Sequence, residues 1–271
     1  MAIIELDSIS FAYSGGVWAL RDVSLSFEDG RSVAIVGQNG AGKTTLVKMI
    51  NGLLRPSHGV VRLRGQDVSG VPTAKIAHQV GFVFQNPRTQ IFLGSVLEEV
   101  VFGPKKLGMS EASVKEHAEK ALHLTGLDAK RAVHPYELTP PDRKLLTIAS
   151  ILSMDQPILI LDEPTGGLDA ESVERVARVV DAYHAEGRTV ITVTHNMDFV
   201  VRCFERVVVM RQGQVAASGT VREVFSQHEL LADTHLASTA IGQLAAVCGV
   251  PRTILTVSDM VKYIEETLQP G

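Results

Sequence analysis

Residues Gly37 to Thr44 read Gly-Gln-Asn-Gly-Ala-Gly-Lys-Thr, which satisfies the phosphate-loop pattern G-x-x-x-x-G-K-[ST] without a mismatch. No other run limits the possible folds as strongly, because such a loop functions only between a strand and a helix. Ser32-Val33-Ala34-Ile35-Val36 precedes it, an apolar β-branched run that reads as a buried strand. Thr45-Leu46-Val47-Lys48-Met49-Ile50 follows and reads as the start of a helix. In this context Gly37, Gln38, Asn39, Gly40, Ala41 and Gly42 wrap backbone N–H groups around phosphate oxygens, helped by the helix dipole. Lys43 would reach the β- and γ-phosphates, and the Thr44 hydroxyl would ligate Mg²⁺.

The chain has 271 residues, enough for one large α/β unit and a small appendix. A net charge of -4 with no block of like charges argues against nucleic acid as the main partner. Cys203 and Cys248 are far apart and form no metal-type spacing, which fits a reduced, cytosolic setting. No basic and apolar leader is visible at the start, and no apolar run approaches ~20 residues. Any membrane-spanning part is therefore expected from another chain.

Along the chain, residues 2–36 read as strands joined by turns, with further short strands at Val60–Leu63 and Val80–Phe84. The middle is helical. Ser95–Phe102 is expected to end at a Gly103-Pro104 break. Ser110 is an N-cap for a helix that Gly126 closes, with Val114, Ala118, Ala121, Leu122 and Leu124 on its buried face. Strand-helix alternation then returns: strands at 157–161, 189–194 and 207–210, helices at 170–186 and 197–203, and a hairpin turn at 211–214. This pattern predicts a largely parallel sheet sandwiched by helices, interrupted by a helical insertion over about 87–153.

The apolar strand Ile158–Leu161 runs straight into Asp162 and Glu163. A buried strand that delivers two acids at its C-terminal end supplies what a nucleotide sheet needs. Asp162 would hold Mg²⁺ through its water shell, and Glu163 would polarise the attacking water. His195 at another strand end, Gln85 and Tyr13 are individually unremarkable: a polar stop, a turn residue and a strand aromatic.

As a set they are recognisable. The order Tyr13, Gly37–Thr45, Gln85, Asp162-Glu163, Gly167-Leu168-Asp169, His195 resembles the ATP-binding cassette (ABC) ATPases over residues 2 to about 225. The resemblance implies a P-loop NTPase core of RecA-like type with an antiparallel β subdomain and a helical signature subdomain. It implies that Tyr13 stacks on adenine, that Thr45 belongs to the nucleotide site, and that Gln85 touches Mg²⁺ and the water. It further implies that Asp169 lies in a loop crossing to the opposite subunit, and that His195 holds the γ-phosphate. Val83–Gln90, Val96–Pro104 and His134–Leu138 look like the ATPases of energy-coupling factor (ECF) transporters, importers of vitamins and of cobalt or nickel. Arg88 stands where that subgroup usually has an acid. The subgroup also carries a C-terminal extension of short helices, here 226–271, which either helps two ATPases pair or only packs.

One segment departs from the family. The signature is usually close to L-S-G-G-Q, and here it reads Leu138-Thr139-Pro140-Pro141-Asp142. In the family this segment opens a helix and offers a hydroxyl and N–H groups to the γ-phosphate bound on the partner subunit. Proline is tolerated at the first turn of a helix but has no N–H. Two donors are absent, each worth roughly 1.5–3 kcal/mol to a charged acceptor, and Asp142 adds a negative charge if it points outward. Leu145 also replaces an arginine common in the family. The expectation is a peripheral ATPase on the cytoplasmic face of the membrane, using ATP and Mg²⁺. It would be paired with a second ECF-type ATPase and served by a transmembrane coupling protein and a substrate-binding membrane protein. Alternatives are another ABC importer ATPase, a soluble non-transport ABC ATPase, or a subunit that only binds ATP.

Overall fold

The computed structural model describes residues 1–268. Its strands, in chain order, are β1 (Ala2–Ala12), β2 (Trp18–Glu28), β3 (Ser32–Gly37), β4 (His58–Leu63), β5 (Gln66–Asp67), β6 (Val80–Val83), β7 (Ile158–Asp162), β8 (Thr189–Val193), β9 (Arg206–Arg211) and β10 (Gln214–Thr220). They form a 4-stranded antiparallel sheet, β2-β1-β4-β5, and a 6-stranded sheet, β10-β9-β3-β8-β7-β6. In the larger sheet β9, β3, β8, β7 and β6 are parallel, and β10 pairs antiparallel with β9.

Both faces of the parallel strands are covered, so β3, β7 and β8 are buried from end to end. That is why they read as continuous apolar runs instead of alternating ones. Val33, Ile35, Ile158, Ile160, Ile191 and Val193 pack in one core with β1, β2, β4 and helix α1 (Lys43–Ile50). Ala34, Val36, Leu159, Leu161 and Val190 belong to a second core, on the opposite face. That core is built with α3 (Val96–Lys106), α4 (Glu111–Thr125), α5 (Pro140–Leu152), α6 (Ala170–Ala185) and α7 (Met197–Cys203). A short α2 (Thr73–Ile76) precedes β6, and α8 (Val221–Phe225), α9 (His228–Asp233), α10 (Ala240–Val247) and α11 (Val257–Leu268) follow β10. The expected extension runs on to residue 271, and 269–271 lie outside the described residues.

Helix α4 matches its expected bounds. The Ser110 Oγ accepts the Ser113 N–H at 3.3 Å, and Gly126 closes the helix in a left-handed conformation at φ 71°. Val114, Ala118, Ala121 and Leu122 are buried, while Leu124 is half-buried.

The Gly103-Pro104 break does not occur. Helix α3 continues through both residues to Lys106. An internal proline removes the N–H that would bond the carbonyl four residues earlier, here that of Val100. The Ser153 Oγ, just past the end of α5, donates to that carbonyl at 2.7 Å. A side chain distant in sequence thus replaces the missing backbone donor, and the helix survives.

Ser153→Ala should therefore leave a buried carbonyl without a donor and cost about 1–3 kcal/mol in urea unfolding. In a Pro104→Ala background, where the helix supplies its own N–H to Val100, the same substitution should cost measurably less.

Candidate functional site

Because β3, β6, β7 and β8 run parallel, their carboxyl ends share one edge of the sheet. The pairs Val83↔Leu161, Leu161↔Thr192 and Ile35↔Val193 fix the register. Four groups of predicted site residues sit at these ends: the phosphate loop after β3, Gln85 after β6, Asp162-Glu163 at the end of β7 and His195 after β8, whereas Tyr13 follows β1. A cleft of ≈ 340 Å³ opens there, lined by Tyr13, Val17, Trp18, Asn39, Gly40, Lys43, Thr44, Thr45, Gln85 and Glu163 among others.

The loop needs its glycines. Gly37 has φ 150°, and a Cβ there would lie 2.3 Å from the Met210 carbonyl oxygen. Gly42 has φ 99°, and a Cβ would lie 2.5 Å from the Ala19 carbonyl oxygen. Gln38, Asn39 and Gly40 are exposed, whereas Ala41 is buried beneath them. Lys43 is buried, and its Nζ donates to the carbonyls of Gly37 at 2.7 Å and Gln38 at 2.9 Å. Burial holds the Lys43 ammonium below its usual pKa, and the charges of Glu163 and Asp162 partly offset this. Tyr13 stands at the mouth, its hydroxyl 3.1 Å from Thr45 Oγ1 and its ring edge-on to Phe11.

The Thr44 hydroxyl donates to Asp162 Oδ1 at 3.2 Å. Burial pushes the Asp162 carboxyl above its usual range, with the neighbouring Glu163 adding to the shift and the Thr44 hydrogen bond opposing it. Among the described residues no cluster of three or more His, Cys, Asp or Glu could cage a metal ion. Thr44 and Asp162, with Gln85 on the same cleft, form the sparse oxygen set that suits Mg²⁺. This ion usually takes one or two carboxylates and completes its shell with water and substrate phosphates.

Glu163 follows β7 with φ 49°, a left-handed conformation that is rare for a residue with a side chain. Its N–H bonds the Val193 carbonyl at 2.8 Å, which ties the turn to β8. The carboxylate is buried, and His195 Nδ1 approaches Oε2 at 2.9 Å. That approach is not aligned as a hydrogen bond, and Oε2 has no hydrogen-bond partner. A buried, under-satisfied carboxylate oxygen on a phosphate cleft can accept a proton or orient a water. The imidazole is mostly exposed, free to turn toward a ligand.

Lys144 escaped the sequence reading. It lies on α5, 4% exposed, and its Nζ donates to the Gln85 carbonyl at 2.5 Å. Burial lowers its pKa, opposed by the charges of Asp162 and Glu163. Its only signal was a charge where the spacing of α5 places the buried face.

The signature segment behaves differently from the rest. α5 starts at Pro140 as expected, with Thr139 as N-cap. Asp142 does not point outward: it is buried, and its Oδ2 takes hydrogen bonds from Lys130 Nζ at 2.5 Å and Thr139 Oγ1 at 2.6 Å. Thr139 Oγ1 in turn accepts the Asp142 N–H at 3.3 Å, and the Arg143 N–H bonds the Thr139 carbonyl. The first turn of α5 therefore presents no free N–H: two positions are proline and the next two are used internally. The one hydroxyl also spends its hydrogen bond on Asp142. Leu145 is fully buried in the core. Asp169 is exposed, and its carboxylate caps α6 by accepting the Ser172 N–H at 2.7 Å.

A phosphate loop, a following β7 acid pair and a β8 histidine on one parallel edge define a P-loop ATPase. The ABC transporter family model matches residues 20–166, and the chain belongs to that family, whose cassettes bind and hydrolyse ATP. Two energy-coupling factor transporter ATP-binding proteins of Methanospirillum hungatei are similar to it. EcfA1 is 39% identical over 87% of this chain and 86% of its own length. EcfA2 is 36% identical over 97% of this chain and 68% of its own. Some other curated relatives are longer, and the chain spans 43% and 45% of two of them. The solved structure of cbiO1 from Clostridium perfringens, described as part of the ABC transporter complex cbiONQ, superposes with a TM-score of 0.77 at 30% identity, covering 92% of this chain and 99% of that one.

The Lys130 and Thr139 hydrogen bonds outweigh burial and hold the Asp142 carboxyl below its usual range. A depressed folded-state pKa contributes stability that is present above the unfolded value of about 3.9 and lost as pH falls through the folded one. The stability difference between the parent and Asp142→Asn, read from urea midpoints, should be constant above about pH 5 and shrink at lower pH.

Proposed function

We propose that this chain is the ATP-binding and ATP-hydrolysing subunit of an ECF-type importer of vitamins or transition metals, working beside a second ATPase that carries an intact signature. The observation that carries this reading is a contrast within one chain. The cleft lined by Lys43 and Glu163, with His195 beside Glu163, keeps this chain's share of a nucleotide site, while the first turn of α5, which would serve a partner's nucleotide, has each N–H missing or used internally and its Thr139 hydroxyl donating to Asp142. In a homodimer both composite sites would face such a terminus. Opposite an intact partner, this chain's own cleft would be completed and the partner's would not.

In the working cleft the loop amides and Lys43 bind the phosphates, and Tyr13 takes the adenine face. Mg²⁺, held by Thr44, by Gln85 and through water by Asp162, would offset charge on the β- and γ-phosphates. Glu163 orients a water and takes up its proton as the water oxygen bonds the γ-phosphorus and the bond to the ADP oxygen breaks, giving ADP and phosphate. His195, beside Glu163, contacts the departing phosphoryl group. Residues 1–225 form the nucleotide-binding unit, with 87–153 as its helical insertion.

Two exposed apolar surfaces support the assembly. Phe92 and Phe102 pack edge to face at 5.0 Å and, with Leu97, remain exposed beyond Gln85, where a transmembrane coupling protein would dock. Val257, Val261 and Ile264 form an exposed stripe at helical spacing on α11, and α10, which packs on α11, exposes Leu244 and Val247, which suits pairing through the extension over 226–271. No helix among the described residues is long and apolar enough to cross a membrane. A peripheral place on the cytoplasmic face, with the substrate bound by a separate membrane protein, belongs to the same reading.

Glu163→Gln should lower ATP turnover of the assembled complex by about 10²–10⁴-fold; unchanged turnover would mean that this cleft is not the working one. The isolated chain should turn over slowly even as a dimer, and rates on the order of tens per second would overturn the heterodimer. Replacing Pro140 and Pro141 with Gly and Asp142 with Gln should raise the rate of the isolated chain by about tenfold or more, as donors return.

A further inference from the structure

The segment that carries Gln85 is gripped by α5 from two sides. On one side the Lys144 Nζ donates to the Gln85 carbonyl at 2.5 Å. On the other, Gln90 Oε1 accepts the Phe84 N–H at 3.2 Å, while its Nε2 donates to the Thr147 carbonyl at 2.8 Å and to Ser150 Oγ at 3.1 Å. The turn between them is braced internally: Asn86 Oδ1 accepts the Arg88 N–H at 3.0 Å, and the Thr89 hydroxyl donates to the Asn86 carbonyl at 2.7 Å. We propose that Lys144 and Gln90 are positioning residues that latch the Gln85 loop to α5 and thereby set where the Gln85 side chain stands on the nucleotide cleft.

A buried ammonium is a costly way to hold one carbonyl, since a neutral donor would serve a purely structural strut. Asp162 and Glu163 lie within its electrostatic reach. Their attraction draws the lysine, and with it the Gln85 main chain, toward the acid side of the cleft. Gln90 sets the other end of the same short segment, so the glutamine between them has little freedom of its own. The inference rests on the role proposed for Gln85, and the test separates the two.

The experiment is steady-state ATP turnover of the assembled complex carrying Lys144→Met or Gln90→Ala, each alone and together with Gln85→Ala. Each single variant should lower kcat by about 10–100-fold, the scale of a small misplacement of a reacting group. KM for ATP should stay within about twofold, because the phosphate loop is untouched. Lys144→Arg should recover most of the lost rate. In the Gln85→Ala background neither substitution should lower kcat further. Parental kcat in both single variants would overturn the latch, and so would an undiminished further loss in the Gln85→Ala background. A Gln85→Ala variant with parental kcat would instead overturn the role of Gln85. Should Lys144→Met fail to fold, Gln90→Ala, at a half-buried side chain, carries the same test.

Discussion

Parallel, in-register pairing of β3, β8, β7 and β6 is the constraint on which the site depends. Adjacent strands lie about 4.8 Å apart, so loops leaving consecutive carboxyl ends fall within the span of a triphosphate. This pairing brings residues 43, 85, 163 and 195 to one edge of the sheet. A slip of one residue in β7 would exchange its two faces, sending Ile158 and Ile160 to the core now filled by Leu159 and Leu161. The acids at its end would turn with them. The apolar contacts on both faces of the sheet hold this register, and the chemistry at its edge inherits the precision.

Helix α5 carries the second constraint. Its N-terminus is closed by a reciprocal pair, Thr139 Oγ1 and Asp142, with Lys130 balancing the charge. About one turn on, its buried face reaches Lys144 and Leu145, one against the Gln85 loop and one in the core. The helix is thus well formed and well capped. What its first turn lacks is an N–H left over for a ligand. Stability of the helix terminus and its availability to phosphate compete for the same few donors, and in this chain stability has taken them.

Much of this was readable beforehand, for identifiable reasons. The phosphate loop, the strand delivering Asp162 and Glu163, and the capped helix from Ser110 to Gly126 are local signals whose neighbours in sequence are their neighbours in space. The Gly103-Pro104 break was misjudged because the donor that rescues the helix, Ser153, is far along the chain. Lys144 was overlooked for the same reason: its partner is the Gln85 carbonyl, which no spacing rule connects to it. Asp142 could be placed at the first turn of a helix, but whether it faced solvent or Lys130 depended on how α5 met the preceding turn.

The sequence by itself determined the presence of a nucleotide loop, the acids and histidine that accompany it, and the loss of two backbone donors at Pro140 and Pro141. These follow from residue identity and covalent chemistry, which folding does not alter. Only the tertiary structure decided that the Thr139 hydroxyl is spent on a buried Asp142 paired with Lys130, that Oε2 of Glu163 lacks a hydrogen-bond partner, and that Lys144 grips the Gln85 loop. Each is a question of which groups meet across the fold, and a hydrogen bond forms only where donor and acceptor are brought within about 3 Å.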